Sequence, residues 1–246
     1  MHAMNGLDVQ RYVGMSAASA YTQLLLTHLR VQRISVFRYR SPPSLQQRIQ
    51  LTSADQLLID QALTLRKSAR LPFWNALFSA CLLSETHTPQ LVGAAFFHSG
   101  PGEAVVYDRD AVEAGVLEEL ARQGAANAGI SSEVSDAEGC VWHLPLLDFH
   151  CEVSPHNEAL AALVCSHLML DGYLLIDSGD SYHACGFKLF TSEERVRMLG
   201  KALLTAPVVD SHYVAHQLQQ DASSIRISKG GKASRGPFVV RAWAPG

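Results

Sequence analysis

Two acids, two histidines and an arginine stand out because each closes or interrupts an apolar run. Leu144-Pro145-Leu146-Leu147-Asp148-Phe149-His150-Cys151 carries an apolar segment into a carboxylate. Side chains alternate along a strand, so Asp148 and His150 fall on one face and Phe149 on the other. A carboxylate and an imidazole so placed can share a divalent ion. Equally, a strand-end aspartate can cap the next helix, with the histidine exposed. A second apolar run, Leu174 to Asp177, leads into Ser178-Gly179-Asp180-Ser181-Tyr182-His183. An imidazole at the start of a return strand can donate to a phosphate oxygen, and the N–H groups of the turn can form a small anion nest. A lone histidine is also a common structural residue. Val209-Asp210 precedes a helix, where the acid is a further metal ligand or an N-cap. Arg226, in Ile225-Arg226-Ile227, takes a charge into an apolar strand, which is costly unless an acid or an anionic ligand meets it. Lys229 and Lys232 in the loop beyond would extend a grip on phosphate. His212 and His216, four apart on a helix, are a metal pair or chance neighbours on a helical surface. Ser181 and His183 do not read as nucleophile and base: they are too close on one strand, and there is no Gly-x-Ser-x-Gly elbow.

The elements that must hold these residues are clearest after residue 140. The pattern predicts a strand over 141–150 and a helix opened by Ser154-Pro155, with Leu160, Leu163, Val164, His167 and Leu168 on one face. Gly172 ends that helix. Strands at Tyr173–Asp177 and Tyr182–Phe187 follow, and then a helix from Thr191, whose Glu194 three positions on completes a capping box. This β-α-β-β-α order resembles the split βαβ, or RNA-recognition-like, unit. A helix over 211–220, a strand over 223–228 and a closing strand Phe238–Trp243 finish the chain. Before residue 140 we expect a helix over 16–30, a strand to Tyr39, and a break at Ser41-Pro42-Pro43-Ser44. A helix capped by Thr52 or Ser53 then runs to Arg70. Phe73 to Leu83 is apolar and is helix or strand. Leu91 to Phe97 reads as a buried strand, and Ser99-Gly100-Pro101-Gly102 as a turn. A strand at Ala104–Tyr107 leads to a helix over 110–123 capped by Asp108. Gly124 to Gly129 reads as a small-residue loop and Ser131 to Gly139 as an exposed polar connection. The expectation is an α/β (α+β) protein, with residues 1–139 as an N-terminal α/β support region and residues 140–246 as the core that carries the site.

With 246 residues, 48% of them apolar, the chain suits one large or two small domains and can bury a core without staples. The net charge of −3 hides an asymmetry. Residues 1–70 hold nine basic and three acidic side chains, residues 71–187 two and sixteen, and residues 188–246 nine and four. The basic ends either grip an anionic ligand or pair with the acidic middle. No apolar run reaches the roughly 18 residues of a membrane span, and the first residues lack the pattern of a secretory signal. Five cysteines without a CxxC predict reduced thiols in a cytoplasmic protein and no zinc module.

The ordered set of strand with acid, small-x-His, apolar-Asp and trailing strand with a basic residue resembles the archaeo-eukaryotic primase, or primase–polymerase, superfamily. Leu147-Asp148-Phe149-His150, Ser181-Tyr182-His183 and Val209-Asp210 match its three motifs in order. The run from Leu146 to Ser228, about ninety residues, is similar more narrowly to bacterial primase 1D-like proteins, as are Asp210-x-x-Tyr213-Val214-x-His216-x-Leu218 and the helix Leu51 to Arg70 with Leu71-Pro72-Phe73-Trp74. The resemblance implies a nucleotidyltransferase-type core that binds a nucleoside triphosphate with a divalent metal, Mg2+ or Mn2+, and makes or extends a primer on single-stranded or primed DNA or RNA. It implies catalytic roles for Asp148, His183 and Asp210, metal at Asp148, His150 and Asp210, and phosphate contacts from Ser181, His183, Arg226 and Lys229. A helicase or defence-system protein on another chain is an implied partner. The chain departs from the pattern at the second acid of the first motif, where His150 stands. A neutral imidazole in place of a bridging carboxylate removes a negative charge from a two-metal site and suits manganese or zinc better than magnesium. The alternative is therefore a catalytically degenerate nucleotide- or nucleic-acid-binding subunit of a repair or defence system.

Overall fold

The computed structural model describes residues 8–28, 30–39, 44–85, 87–97, 103–123, 127–229 and 235–245. In chain order the helices are α1 (Ala17–Thr27), α2 (Leu45–Arg48), α3 (Ser53–Ala69), α4 (Phe73–Ser84), α5 (Pro89–Ala95), α6 (Arg109–Glu113), α7 (Val116–Arg122), α8 (Pro155–Leu168), α9 (Ser192–Ala202) and α10 (Ser211–Leu218). The strands are β1 (Arg33–Tyr39), β2 (Glu103–Asp108), β3 (Asn127–Ser135), β4 (Val141–His143), β5 (Leu146–Asp148), β6 (Tyr173–Asp177), β7 (Tyr182–Gly186), β8 (Ser224–Arg226) and β9 (Phe238–Trp243). The protein is thus mixed α/β, as the sequence predicts, and none of the described helices is long and apolar enough to cross a membrane.

Contacts divide the chain into two units, residues 41–100 and residues 1–40 with 101–246. The division differs from the one expected at residue 139, because β3 lies between β1 and β8 in one sheet and so joins early and late segments. The smaller unit is helical. Thr52 and Asp55 form a capping box at the start of α3, and Leu58, Ala62, Ala76, Leu77, Ala80 and Leu91 make its core. The run Leu91 to Phe97, expected as a strand, is mostly α5. Pro89 occupies its first turn, and so short an apolar run has no period of its own to separate the two states.

The larger unit holds two antiparallel sheets. One runs β2-β1-β3-β4, with β8 also paired to β3, and the other runs β5-β7-β6-β9. Since β7 is antiparallel to both β5 and β6, those two strands run parallel and α8 connects them. This is the split βαβ arrangement expected from the pattern. Alternation sorts the apolar residues. Leu146, Leu174, Ile176 and Cys185 join Ile34, Val36 and Ile130 of the other sheet and Tyr21 and Leu24 of α1 in one cluster. Leu147, Leu175 and Ala184 join Ala161 and Cys165 of α8, Met198 and Leu199 of α9, and Val214 of α10 in another. At Gly172, after α8, φ is +109° and a Cβ would meet the Phe187 ring and the Trp243 carbonyl, so the close approach requires glycine.

Three further expectations change. The strand over 141–150 is two strands in different sheets, and Leu144-Pro145 carries the chain between them. Residues 131–135, expected as exposed, belong to the central strand β3, and Ser131 and Ser132 are buried. Their hydroxyls are used: Ser131 Oγ accepts from Glu133 N, and Ser132 Oγ accepts from Ser223 N. Residues 127–129 are strand rather than loop. Most of the breaks at 41–44 and 99–102, and residues 124–126, lie outside the described residues.

Candidate functional site

The β5–β7 register places Asp148 opposite His183, and Asp148 Oδ1 lies 3.5 Å from His183 Nε2. Beyond β5 the main chain is held by neighbours. Phe149 N donates to Tyr182 O (2.9 Å), Phe149 bridges Val209, and His150 N donates to Val208 O (2.8 Å). Asp210 N then donates to Asp148 O at 3.0 Å, so backbone bonds bring the two acids together. Asp210 caps α10 as well, with Oδ1 accepting from His212 N (2.8 Å) and Tyr213 N (3.1 Å). Its Oδ2 lies 3.9 Å from His150 Nδ1. The N-cap reading of Asp210 thus holds through one oxygen, and the other oxygen lies on the side of His150.

Arg226 approaches from β8. Its Nη1 donates to Ser228 O (2.9 Å) and its Nη2 to Ser178 O (3.1 Å), so main-chain carbonyls meet the guanidinium. The Ser178–Ser181 turn is engaged with itself. Ser178 N donates to Ser181 O, Gly179 N to Asp177 Oδ1 (2.7 Å) and Ser181 N to Ser178 Oγ (3.3 Å). With three amides so occupied, the anion nest expected there is closed. Ser181 Oγ lies 3.3 Å from Ser178 Oγ. Lys229 is exposed, and Lys232 lies outside the described residues. The His212 and His216 rings meet edge to face at 4.8 Å.

Charge and burial act against each other at β5. The Asp148 side chain keeps 30% of its exposure, yet the dense protein around it, together with the Asp210 carboxylate, pushes its carboxyl up to about 8, while Arg226 and the Phe149 amide pull it down. Burial, and then the Arg226 charge, push His183 down to about 3. His183 is neutral at pH 7, and its buried Nδ1 has no hydrogen-bond partner. Two acids close enough for one to raise the other, beside an orphaned imidazole nitrogen, are groups whose cost a cation with an anion alongside would relieve. Among the described residues no three His, Cys, Asp or Glu side chains gather as a group that could hold a metal ion, so the protein would supply an ion with no more than the two acids here and leave the rest of its shell to a ligand or water.

Three contacts escaped the sequence. Tyr182 Oη donates to Ser154 O and accepts from Ser154 N, tying β7 to the start of α8. Arg235 pairs with the buried Asp177 at 2.8 Å. Arg195 is buried on α9, where Ser192-Glu193-Glu194-Arg195 reads as a polar surface. Its place three, four and seven residues before Met198, Leu199 and Ala202 is the signal that it lies on the inner face.

The family model described as archaeo-eukaryotic primase 1D-like matches residues 111–236. The chain belongs to this family, and the matched stretch contains Asp148, His150, His183, Asp210 and Arg226. No curated protein and no solved structure matches it.

Proposed function

We propose that this primase–polymerase-related protein binds a nucleoside triphosphate with one divalent cation, Mg2+ or Mn2+, at the edge of β5. The observation that carries the reading is the backbone-fixed pairing of Asp148 with Asp210, within the electrostatic reach of Arg226. Asp148 and Asp210 would hold the cation, with His150 beside Asp210. When bound, the cation neutralises phosphate charge. His183, neutral and with Nδ1 free, donates to a phosphate oxygen if its proton sits on that nitrogen. Arg226 supplies positive charge and Lys229 extends it. Ser181 is the nearest hydroxyl of the turn to His183 in the chain.

The test is binding of a fluorescent nucleoside triphosphate with Mg2+ and then Mn2+. Wild type should bind, and Asp148→Ala should weaken binding about tenfold or more, as expected for loss of a charge-assisted contact. Equal binding by the variant overturns the reading. Incorporation of labelled nucleotide on single-stranded and primed DNA then decides between enzyme and binding subunit. Mn2+-dependent product that disappears in Asp148→Ala assigns primer synthesis or extension. Binding without product assigns a nucleotide- or nucleic-acid-binding subunit, the reading that an imidazole in place of a second carboxylate at position 150 favours, and directs attention to a helicase or defence-system partner.

A further inference from the structure

The proposed site draws on both sheets. Asp148 and His183 come from β5 and β7, whereas Arg226 comes from β8, which is paired to β3. Leu144-Pro145 joins β4 to β5 directly, and a second covalent link between the two halves is α10 and the turn after it, with Asp210 at one end and Arg226 at the other. Asp210 is fixed to β5 by its amide and by the Phe149–Val209 bridge. The geometry of this second link depends on how the turn at 217–224 is held.

One buried side chain holds it. Arg195 Nε donates to Ser223 Oγ (3.2 Å), and Nη2 donates to Gln220 O (3.0 Å) and to Gln217 O. Two carbonyls at the end of α10 and the hydroxyl just before β8 thus converge on one guanidinium. Buried Gln217 adds its Oε1 as acceptor for Ser224 N (3.0 Å). Ser223 N in turn donates to Ser132 Oγ (2.8 Å), and Ser132 N to Ser223 O (2.7 Å), which joins the turn to β3. Ser132 Oγ lies 3.3 Å from Nδ1 of buried His143, and His143 Nε2 lies 3.1 Å from Ser192 Oγ at the start of α9. The network closes on the helix that carries Arg195. None of the three acceptors of Arg195 is a carboxylate. Burying a guanidinium without an ion pair is expensive, and an apolar side chain would suit the core of α9 better if packing were all that mattered. Its planar fork, which spans three acceptors at fixed angles, is what an apolar residue or a lysine lacks.

We infer that Arg195 is a positioning residue for nucleotide binding, setting Arg226 of one sheet in register with Asp148 and Asp210 of the other. This rests on the nucleotide–cation reading above. The test is a double-mutant cycle on fluorescent-triphosphate affinity in Mn2+, with Arg195→Met, Arg226→Ala and the pair. Arg226→Ala should weaken affinity about tenfold in wild type and less than about twofold in the Arg195→Met background. The thermal shift given by Mn2+ alone should be kept in Arg195→Met, because Asp210 is tied to Asp148 without Arg195. A full Arg226 effect in that background makes Arg195 a stability residue only and overturns the inference. If Arg195→Met does not fold, Ser223→Ala removes one acceptor and should lower the Arg226 effect in part; an unchanged effect has the same adverse meaning. Wild type that binds no triphosphate defeats the nucleotide reading itself, and the inference with it, and is told apart from absent coupling by the wild-type titration.

Discussion

Asp55 in the helical unit and Asp148 on β5 are both aspartates set into the protein beside helix starts, and their surroundings treat them in opposite ways. Asp55 is fully covered. Its Oδ2 accepts from Thr52 N (2.7 Å) and Thr52 Oγ1 (2.7 Å), and its Oδ1 from Thr88 Oγ1, so it links the start of α3 to the residue that precedes α5. Burial pulls its carboxyl upward, but the bonds from Thr88 and Thr52 outweigh that, and it titrates below the ordinary carboxylate range. Asp148 meets an imidazole at 3.5 Å; burial and then the like charge of Asp210 raise its carboxyl, and Arg226 and the Phe149 amide offset them only in part. A buried acid with its donors supplied holds structure together. One left short of them holds free energy that a ligand can release.

The contrast can be broken most forcefully at Asp55. Asp55→Ala should cost about 3 kcal/mol, because it removes an ionised acceptor and leaves the buried Thr88 hydroxyl without its partner. Urea unfolding followed by hydrogen exchange in α3 and α5 would show it, and a loss well under 1 kcal/mol would sink the comparison. Asp148→Asn should act the other way. The folded carboxyl titrates near 8 and the unfolded one near the ordinary 3.8. Between these values the native state holds a proton that the unfolded state has lost, so stability falls as pH rises from about 4 to about 8. The variant should melt a few degrees higher than wild type at pH 8, with little difference at pH 4, and should lose the stabilisation given by Mn2+. Identical pH profiles for the two proteins would remove Asp148 from this account.

His150→Asp sharpens the same contrast by adding a third carboxylate. It should tighten Mn2+ binding about tenfold while lowering the melting temperature without the ion, both read from thermal shift against Mn2+ concentration. Weaker binding of the ion would mean that the imidazole is itself a ligand. The smallest effect separates the two uses of Asp210. Asp210→Ala should cost about 1 kcal/mol through the lost cap, whereas Asp210→Asn should keep α10 capped and lose only the charge. Equal destabilisation by the two, measured in urea, would deny the second role.

Much of the larger unit was legible because its signals are local. Ser154-Pro155 and the Thr191–Glu194 box do cap α8 and α9, and Tyr173–Asp177 and Tyr182–Gly186 are strands as patterned. Asp148 and His183 were paired only as motifs; register brings them together. Residues 131–135 hid because their polarity looked like exposure, and only partners distant in sequence, such as Ser223, make it compatible with burial. Arg195 hid for a related reason, since its acceptors follow it by 22 to 28 positions. The turn misled differently: its glycine and serines suited an anion, but the serines hydrogen-bond each other and the glycine amide donates to Asp177.

The helical unit leaves the sheet after β1 and returns at β2, and these strands are neighbours, with Arg38 opposite Glu103. Residues 41–100 therefore occupy the place of a hairpin loop. Closing such a loop costs entropy that grows only with the logarithm of its length, about 0.6 kcal/mol per doubling. Sixty residues in place of six thus cost about 2 kcal/mol more, which the insert's own core can offset, so evolution could add, exchange or delete it without rebuilding the sheet to which it is tethered. A short Asn-Gly linker in its place should leave Asp148, His183, Asp210 and Arg226 in register, and the residues matched by the family model begin only after the insertion point.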